Sequence, residues 1–170
     1  MKKLFLSLAL MVATTFSTSL VAQRIAYVDV AKILESIPEY TESQRELDQL
    51  AARWREEISK EYDKIKSLYN RYQAEQVLLS DEARRQKEDE ILQRETSVRE
   101  MQKARFGPEG QLFKRRQELV RPIQDRVFAA IEDYASDRGY DFIFDQGGSA
   151  GMIFASPKYD KTEDIIAKLK

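Results

Sequence analysis

The chain has 170 residues, with 28 Lys and Arg against 29 Asp and Glu, and it contains neither cysteine nor histidine. These counts exclude disulfide scaffolds, thiol redox chemistry, Cys/His zinc sites and catalysis that depends on histidine. Only six glycines and four prolines accompany 34% charged residues, a composition that favours long helices over an all-β fold.

Residues 1–22 have the pattern of a secretory signal peptide. Lys2 and Lys3 give a positive start, the apolar run that follows is too short to span a bilayer, and Ala22 suits the position before the cleaved bond. We therefore predict that residues 23–170 are exported as the mature chain. An uncleaved N-terminal anchor is the alternative.

Three short strands are predicted near the two ends of the mature chain. Residues 24–30, 141–145 and 152–155 are rich in β-forming side chains. A glycine-rich turn separates the last two strands, which predicts a β-hairpin there. Beyond it, Thr162 is expected to cap a short C-terminal helix.

Residues 31–139 contain few turn signals and are predicted to be helical. Two ladders repeat every seven residues: Gln44, Ala51, Ile58, Ile65, Tyr72 and Leu79, then Ile91, Val98, Arg105, Leu112 and Leu119. Between them, Ser80 suits a helix N-cap. The pattern predicts an antiparallel hairpin in which helix 42–79 packs on helix 81–119, with its tip near residues 80–82. Each helix would be roughly 55–60 Å long at about 1.5 Å per residue.

The second helix of this hairpin is predicted to break at Gly107, Pro108 and Gly110, because proline removes a backbone donor and restricts the residue before it. Two interpretations are open: a plain irregularity, or a hinge that lets the outer arm swing. Pro122 is expected to start a renewed helix that ends at Gly139.

The predicted fold class is α+β and mostly α, with a small β-containing body, residues 23–41 and 120–170, and a long helical arm, residues 42–119. Two helices bury only one narrow seam, and a few short strands leave apolar edges exposed, so we expect an obligate oligomer. The residues predicted to make the subunit contacts are Ile25, Tyr27, Val28, Phe142, Phe144, Ile153 and Phe154.

Several segments occur in a characteristic order along the mature chain: IAYVDV running into AKILESIPEY, the charged hairpin, VRPIQDRVFAAIEDYASDRGYDFIFD, and YDKTEDIIAKLK. In this order they resemble the Skp (OmpH-like) family of periplasmic chaperones. The resemblance implies a jellyfish-like trimer whose three helical arms enclose a cavity. It also implies that unfolded outer-membrane proteins are held there without ATP, cofactor or metal. Transient contact with a membrane or lipopolysaccharide is left open, with no residue assigned to it.

Such an arm would bind unfolded chains through many weak contacts made by apolar, aromatic and basic side chains. The predicted contact residues are Trp54, Tyr62, Tyr69, Met101, Phe106, Phe113, Lys114, Arg115 and Arg116. Each has a plainer interpretation, since the aromatic residues can thicken the seam and the basic run can be a solvated helix face.

The main alternative function is a structural coiled-coil protein of the cell envelope without chaperone activity, which the polar break near Gly107 disfavours. An enzyme would need a carboxylate pair such as Asp141 with Asp145, or Asp29 with Asp133, as acid and base. No histidine or phosphate-binding loop supports that function. Nucleic-acid binding is disfavoured by the acidic balance and by export.

Overall fold

A computed structural model describes residues 23–148 and 151–170. Its elements are, in chain order, β1 (Ile25–Val28), α1 (Val30–Glu35), α2 (Pro38–Glu75), α3 (Asp81–Phe106), α4 (Gln111–Arg138), β2 (Phe142–Asp145) and α5 (Thr162–Leu169). A short 3-10 helix, Pro157–Tyr159, precedes α5. The predicted signal peptide, residues 1–22, lies outside the described residues.

The arm is an antiparallel pair of long helices, as predicted. Tyr72 of α2 donates a hydrogen bond to Glu88 of α3 near the tip, and Tyr62 donates one to Gln102 (3.4 Å) further down. The 38 residues of α2 span about 57 Å. Its seam is formed by the buried side chains of Leu47, Ala51, Trp54, Ile58 and Ile65 on α2 and of Ile91 and Val98 on α3.

The tip of the arm turns at the predicted N-cap. The Ser80 hydroxyl accepts a hydrogen bond from the backbone N–H of Ala83 at 3.3 Å, which satisfies one of the free donors at the start of α3. The first helix ends at Glu75, four residues earlier than expected. The reason is that Leu78 closes a turn by bonding to the carbonyl of Glu75 at 2.9 Å.

The second helix is broken where the sequence predicts a break, between Phe106 and Gln111. The expectation that a helix starts at Pro122 is wrong, because α4 runs from Gln111 through this residue. Buried side chains on both sides of it, Val120 and Ile123, keep the helix continuous despite the missing backbone donor. The predicted end at Gly139 is confirmed by its left-handed backbone (φ 65°).

The sheet is parallel and has two strands, with Ile25 opposite Phe142 and Val28 opposite Asp145. On the other side of β1, Asp160 forms an isolated parallel bridge with Tyr27. The predicted hairpin is therefore wrong: β2 pairs with the distant β1, and residues 152–155 form no strand. Helix α4 connects the arm to β2 and places this strand beside β1. Strand β2 therefore pairs with β1, which is distant in sequence, instead of with residues 152–155.

The body has its own core, in which β1, α1, α4 and α5 meet. Its buried side chains are Val28, Ile33, Leu34, Ile37, Ile123, Val127, Ala130, Tyr134, Ile165 and Ile166. The Thr162 hydroxyl links two segments of the body by hydrogen bonds: it accepts from the N–H of Asp29 (2.9 Å) and donates to Asp160 (2.6 Å). Thr162 is the first residue of α5 rather than the predicted cap, and Asp160 accepts the hydrogen bond from its N–H.

One ionisable side chain in this core is held neutral. The Tyr134 hydroxyl donates to a carboxylate oxygen of Asp164 at 2.6 Å, and the ring is buried. Burial raises the pKa of Tyr134 well above its usual value of 10.0, and the hydrogen bond to Asp164 raises it further. The neutral hydroxyl is therefore the form that the folded body favours.

Tyr134→Phe should change how stability depends on alkaline pH. Because the folded pKa exceeds the unfolded value, the contribution of Tyr134 is complete below pH about 10 and is lost as pH rises above it. The substitution should cost ~1 kcal/mol at neutral pH for the lost hydrogen bond and flatten the decline above pH 10. Urea unfolding across this range measures both effects. Parallel curves for wild type and variant would contradict the assignment, and the exposed Tyr159→Phe is the control.

Candidate functional site

One edge of the arm is closed by ion pairs between helices. Glu39, Glu46 and Glu57 are seven and eleven residues apart, which places them on one face of α2. They pair with arginines of α3 and α4: Glu39 with Arg126 (3.7 Å), Glu46 with Arg115 (2.8 Å) and Glu57 with Arg105 (3.8 Å). These pairs are solvent-exposed and contribute little stability, but they occupy the side chains that form this edge.

The other edge carries exposed aromatic side chains. Tyr62 and Tyr69 lie seven residues apart on α2, on the opposite side of the seam from Glu57, and both are exposed. A groove of about 400 Å³ is lined by Arg55, Ile58, Ser59, Tyr62, Asp63, Gln102 and Phe106. We refer to this surface, from Arg55 to Tyr69, as the tyrosine edge.

Trp54 belongs to the seam and not to either edge. Its side chain is 8% exposed, the Phe106 ring packs edge-on at 6.1 Å, and the Arg105 guanidinium lies 4.6 Å above the indole. The seam is closed around it, so Trp54 is withdrawn from the predicted contact surface. Met101 and Phe106 are half-buried against the same cluster, and the Phe106 ring also forms part of the groove at the tyrosine edge.

The basic run is divided by the ion pairs. Arg115 pairs with Glu46 at 2.8 Å and Glu118 at 3.0 Å, and its hydrogen bonds to these carboxylates raise its pKa. Lys114 and Arg116 are exposed on either side of it. Arg115 is therefore engaged in ion pairs, whereas its two neighbours present their charges to solvent.

The sequence analysis did not identify one exposed aromatic residue of α4, Phe128. Phe128 is exposed on the same face of α4 as Phe113. It lies fifteen residues after Phe113, a spacing that could have identified this face. The sequence prediction assigned Phe113 to helix 81–119 and Phe128 to a separate helix starting at Pro122, so the two were not placed on one face.

The predicted hinge is a closely packed turn. Gly107 donates its N–H to the Lys103 carbonyl at 2.8 Å, and Gly110 donates to the Gly107 carbonyl at 2.9 Å. A Cβ atom on Gly107 would lie only 2.5 Å from the backbone oxygen of Lys103. Pro108 sits between them in the same turn, so both glycines are required by close approach of the backbone to itself.

The body presents a set of exposed apolar side chains around β2. These are Ile25, Phe142, Phe144, Ile153 and Phe154, of which Ile153 is fully exposed at 101%. Tyr27 and Val28 were predicted to join them, but both are buried within this chain, and Val28 packs in the body core. They are therefore withdrawn from the predicted subunit contacts.

The carboxylates considered as acid and base have structural partners. Asp29 accepts from a backbone N–H in α1 at 2.9 Å, Asp141 accepts from one just before β1 at 2.7 Å, and Asp145 accepts from the N–H at the start of α1 at 3.3 Å. Asp133 pairs with a lysine of α5 at 3.8 Å. Within residues 23–148 and 151–170, no group of three or more potential metal ligands and no helix that could cross a bilayer is found.

Comparison with known proteins gives a consistent result. The family described as Outer membrane protein (OmpH-like) matches residues 24–169. Chaperone protein Skp of Yersinia enterocolitica is 26% identical over 176 residues, and the match covers 100% of both chains. A solved structure of an OmpH-like protein from Caulobacter crescentus CB15 has a TM-score of 0.67 and covers 88% of this chain and 85% of its own. At 11% identity, this last match shows a shared fold alone.

Gly107→Ala distinguishes a packed turn from a freely moving hinge. The added methyl group would meet the Lys103 carbonyl at 2.5 Å, so the backbone must shift, at a cost of about 1–3 kcal/mol. Thermal unfolding followed by circular dichroism measures the loss. Gly147→Ala, where the nearest atom is 3.9 Å from the new Cβ, is the control and should be close to wild type. Wild-type stability in Gly107→Ala would show that the turn readily adopts other conformations.

Proposed function

The chain belongs to the OmpH-like outer membrane protein family, and on that premise we propose that it is a periplasmic, ATP-independent holdase for unfolded outer-membrane proteins. Members of this family are chaperones rather than enzymes. The observation that carries the proposal is the narrow arm, whose single seam leaves aromatic side chains exposed along its length.

The exposed side chains suit weak and repeated contact with unfolded polypeptide. Tyr62, Tyr69 and Phe113 offer large apolar areas with few rotatable bonds. Lys114 and Arg116 add attraction for acidic segments. Charged residues of both signs surround these groups and keep the empty arm soluble. Several such contacts on one client raise its apparent affinity through effective concentration, without a deep pocket or an energy source.

We also propose that the body assembles three chains so that their arms enclose a cavity. The support is the exposed apolar set around Phe142 and Phe144, next to the edge of β2 that pairs with no strand among the described residues. Residues 151–155 form no backbone hydrogen bond with the described residues of their own chain. Their exposed Ile153 and Phe154 and their unpaired backbone suit pairing with a neighbouring copy.

The remaining sequence predictions complete this picture as proposals. Residues 1–22 direct export, residues 23–41 and 120–170 form the body, and residues 42–119 form the arm. A hinge at residues 107–110 stays a prediction, and bending there would have to open the packed turn around Gly107. Contact with a membrane or lipopolysaccharide stays a prediction without assigned residues.

Suppression of aggregation tests the proposed function. A denatured outer-membrane barrel diluted into buffer without ATP should stay soluble, by light scattering, at a few-fold excess of the mature chain. Tyr62→Ala combined with Phe113→Ala should weaken this effect about fivefold or more, because two exposed anchors are lost. The control is Tyr159→Ala in the body, since Tyr159 and Tyr62 are equally exposed at 44%. No suppression by wild type would favour the structural coiled-coil alternative.

The solution mass of the mature chain tests the assembly. Light scattering at micromolar concentration should give three times the mass of one chain. Phe154→Glu should lower that mass, because it places a charge in the proposed contact. Val77→Glu at the arm tip, also on a highly exposed apolar residue, should leave it unchanged. A monomeric wild type would contradict the proposal.

A further inference from the structure

A stripe of side chains follows one face of α4, away from the ion pairs with α2. Phe113, Gln117, Val120, Gln124 and Phe128 are spaced by three or four residues, so they lie on one side of the helix. The two phenylalanines at its ends are exposed, and Val120 is buried at its floor. A shallow groove of about 300 Å³ follows these residues, which we call the α4 stripe.

The charge along this groove is positive. Arg116 and Arg121 both line it, against a single carboxylate, Asp125, which lies 4.0 Å from Arg121. The chain as a whole carries a net charge of -1, so the stripe is a local exception. A ligand that complements it would bring at least one negative charge to the middle of an otherwise apolar contact.

The composition of the stripe is unlike the centre of a permanent subunit interface. Such interfaces are apolar and depleted of charge at their core, whereas here two glutamines and two arginines lie between the phenylalanines. The amides of Gln117 and Gln124 each offer donors and an acceptor, which can pair with either kind of backbone group. An unfolded polypeptide is the partner that arrives with such backbone groups unpaired.

The length of the stripe sets the length of its ligand. Phe113 and Phe128 are fifteen residues apart, which is about 22 Å along a helix. An extended chain covers this distance with about seven residues. Gln117 and Gln124 are about 10 Å apart by the same rise, the length of roughly three extended residues, so both can reach one ligand backbone.

We propose that the α4 stripe binds extended polypeptide segments of about seven residues that carry a large apolar side chain at each end and a carboxylate between them. Phe113 and Phe128 contact the apolar ends, Gln117 and Gln124 bond the backbone, and Arg116 with Arg121 select the carboxylate. This inference rests on the proposed holdase function and specifies which client segments the arm prefers.

Peptide binding tests the inference on the mature chain. The probe is a fluorescein-labelled peptide of about seven residues, with phenylalanine at both ends and two aspartates among threonines between them. One matched peptide replaces the aspartates by lysine, and another moves both phenylalanines to the centre. Fluorescence anisotropy should show that the first peptide binds about fivefold or more tightly than either of the others.

Variants locate the binding to the stripe. Phe128→Ala should weaken binding of the aspartate peptide about fivefold, whereas Leu92→Ala, on a comparably exposed apolar residue of α3 outside the stripe, should not. Arg116→Gln combined with Arg121→Gln should abolish the preference for aspartate over lysine. Both arginines are exposed, so replacing them should leave the fold intact, and this variant tests the stripe even if Phe128→Ala fails to fold. Circular dichroism checks the fold of each variant.

Three results would overturn the inference: equal binding of the aspartate and lysine peptides to wild type, an unchanged preference in the arginine variant, or a lower solution mass for Phe128→Ala. The last result would assign the stripe to contact between copies. Aggregation suppression by wild type separates the two proposals. If suppression persists without peptide selectivity, the inference alone fails, and if suppression is absent, the proposed function fails.

Discussion

Two packed helices share only one line of contact, and the arm depends on that line. Its buried side chains repeat every seven residues on α2 and α3, and each of the leucine, isoleucine and valine side chains contributes on the order of 1.5–3 kcal/mol by leaving water. A single seam cannot cover the flanks of either helix. The side chains that stabilise the arm are therefore separated from those that remain free to touch another polypeptide, which is the separation that a holdase needs.

The body supplies a core built from several elements, which the two-helix arm lacks. Helix α4 runs without interruption from the base of the arm into the body, where Ile123 and Val127 join the body core. Within the described residues, the sheet in that body has two strands and one further bridge, and several apolar side chains beside it stay exposed. The same shortage of interior thus leaves apolar side chains exposed on the body as well as on the arm.

Local patterns predicted the parts of the structure that local physics decides. The heptad ladders, the Ser80 cap, the break at Gly107 and the stop at Gly139 each follow from a few neighbouring residues. The errors arose where a distant partner decides: β2 pairs with β1 instead of its sequence neighbour, and packing carries α4 through Pro122. Which aromatic side chains are exposed could be determined only from the folded chain. The sequence alone could not show that Trp54 is buried in the seam while Phe128 is exposed outside it.

Photo-crosslinking to an unfolded outer-membrane barrel tests most directly whether the exposed flanks of the arm hold the client. A photoreactive phenylalanine analogue is placed at Tyr62 on the arm and, in a second protein, at Tyr159 on the body, two positions with the same 44% exposure. The account predicts abundant adducts at Tyr62 and few at Tyr159. Adducts that form mainly at Tyr159, with none at Tyr62, would contradict it.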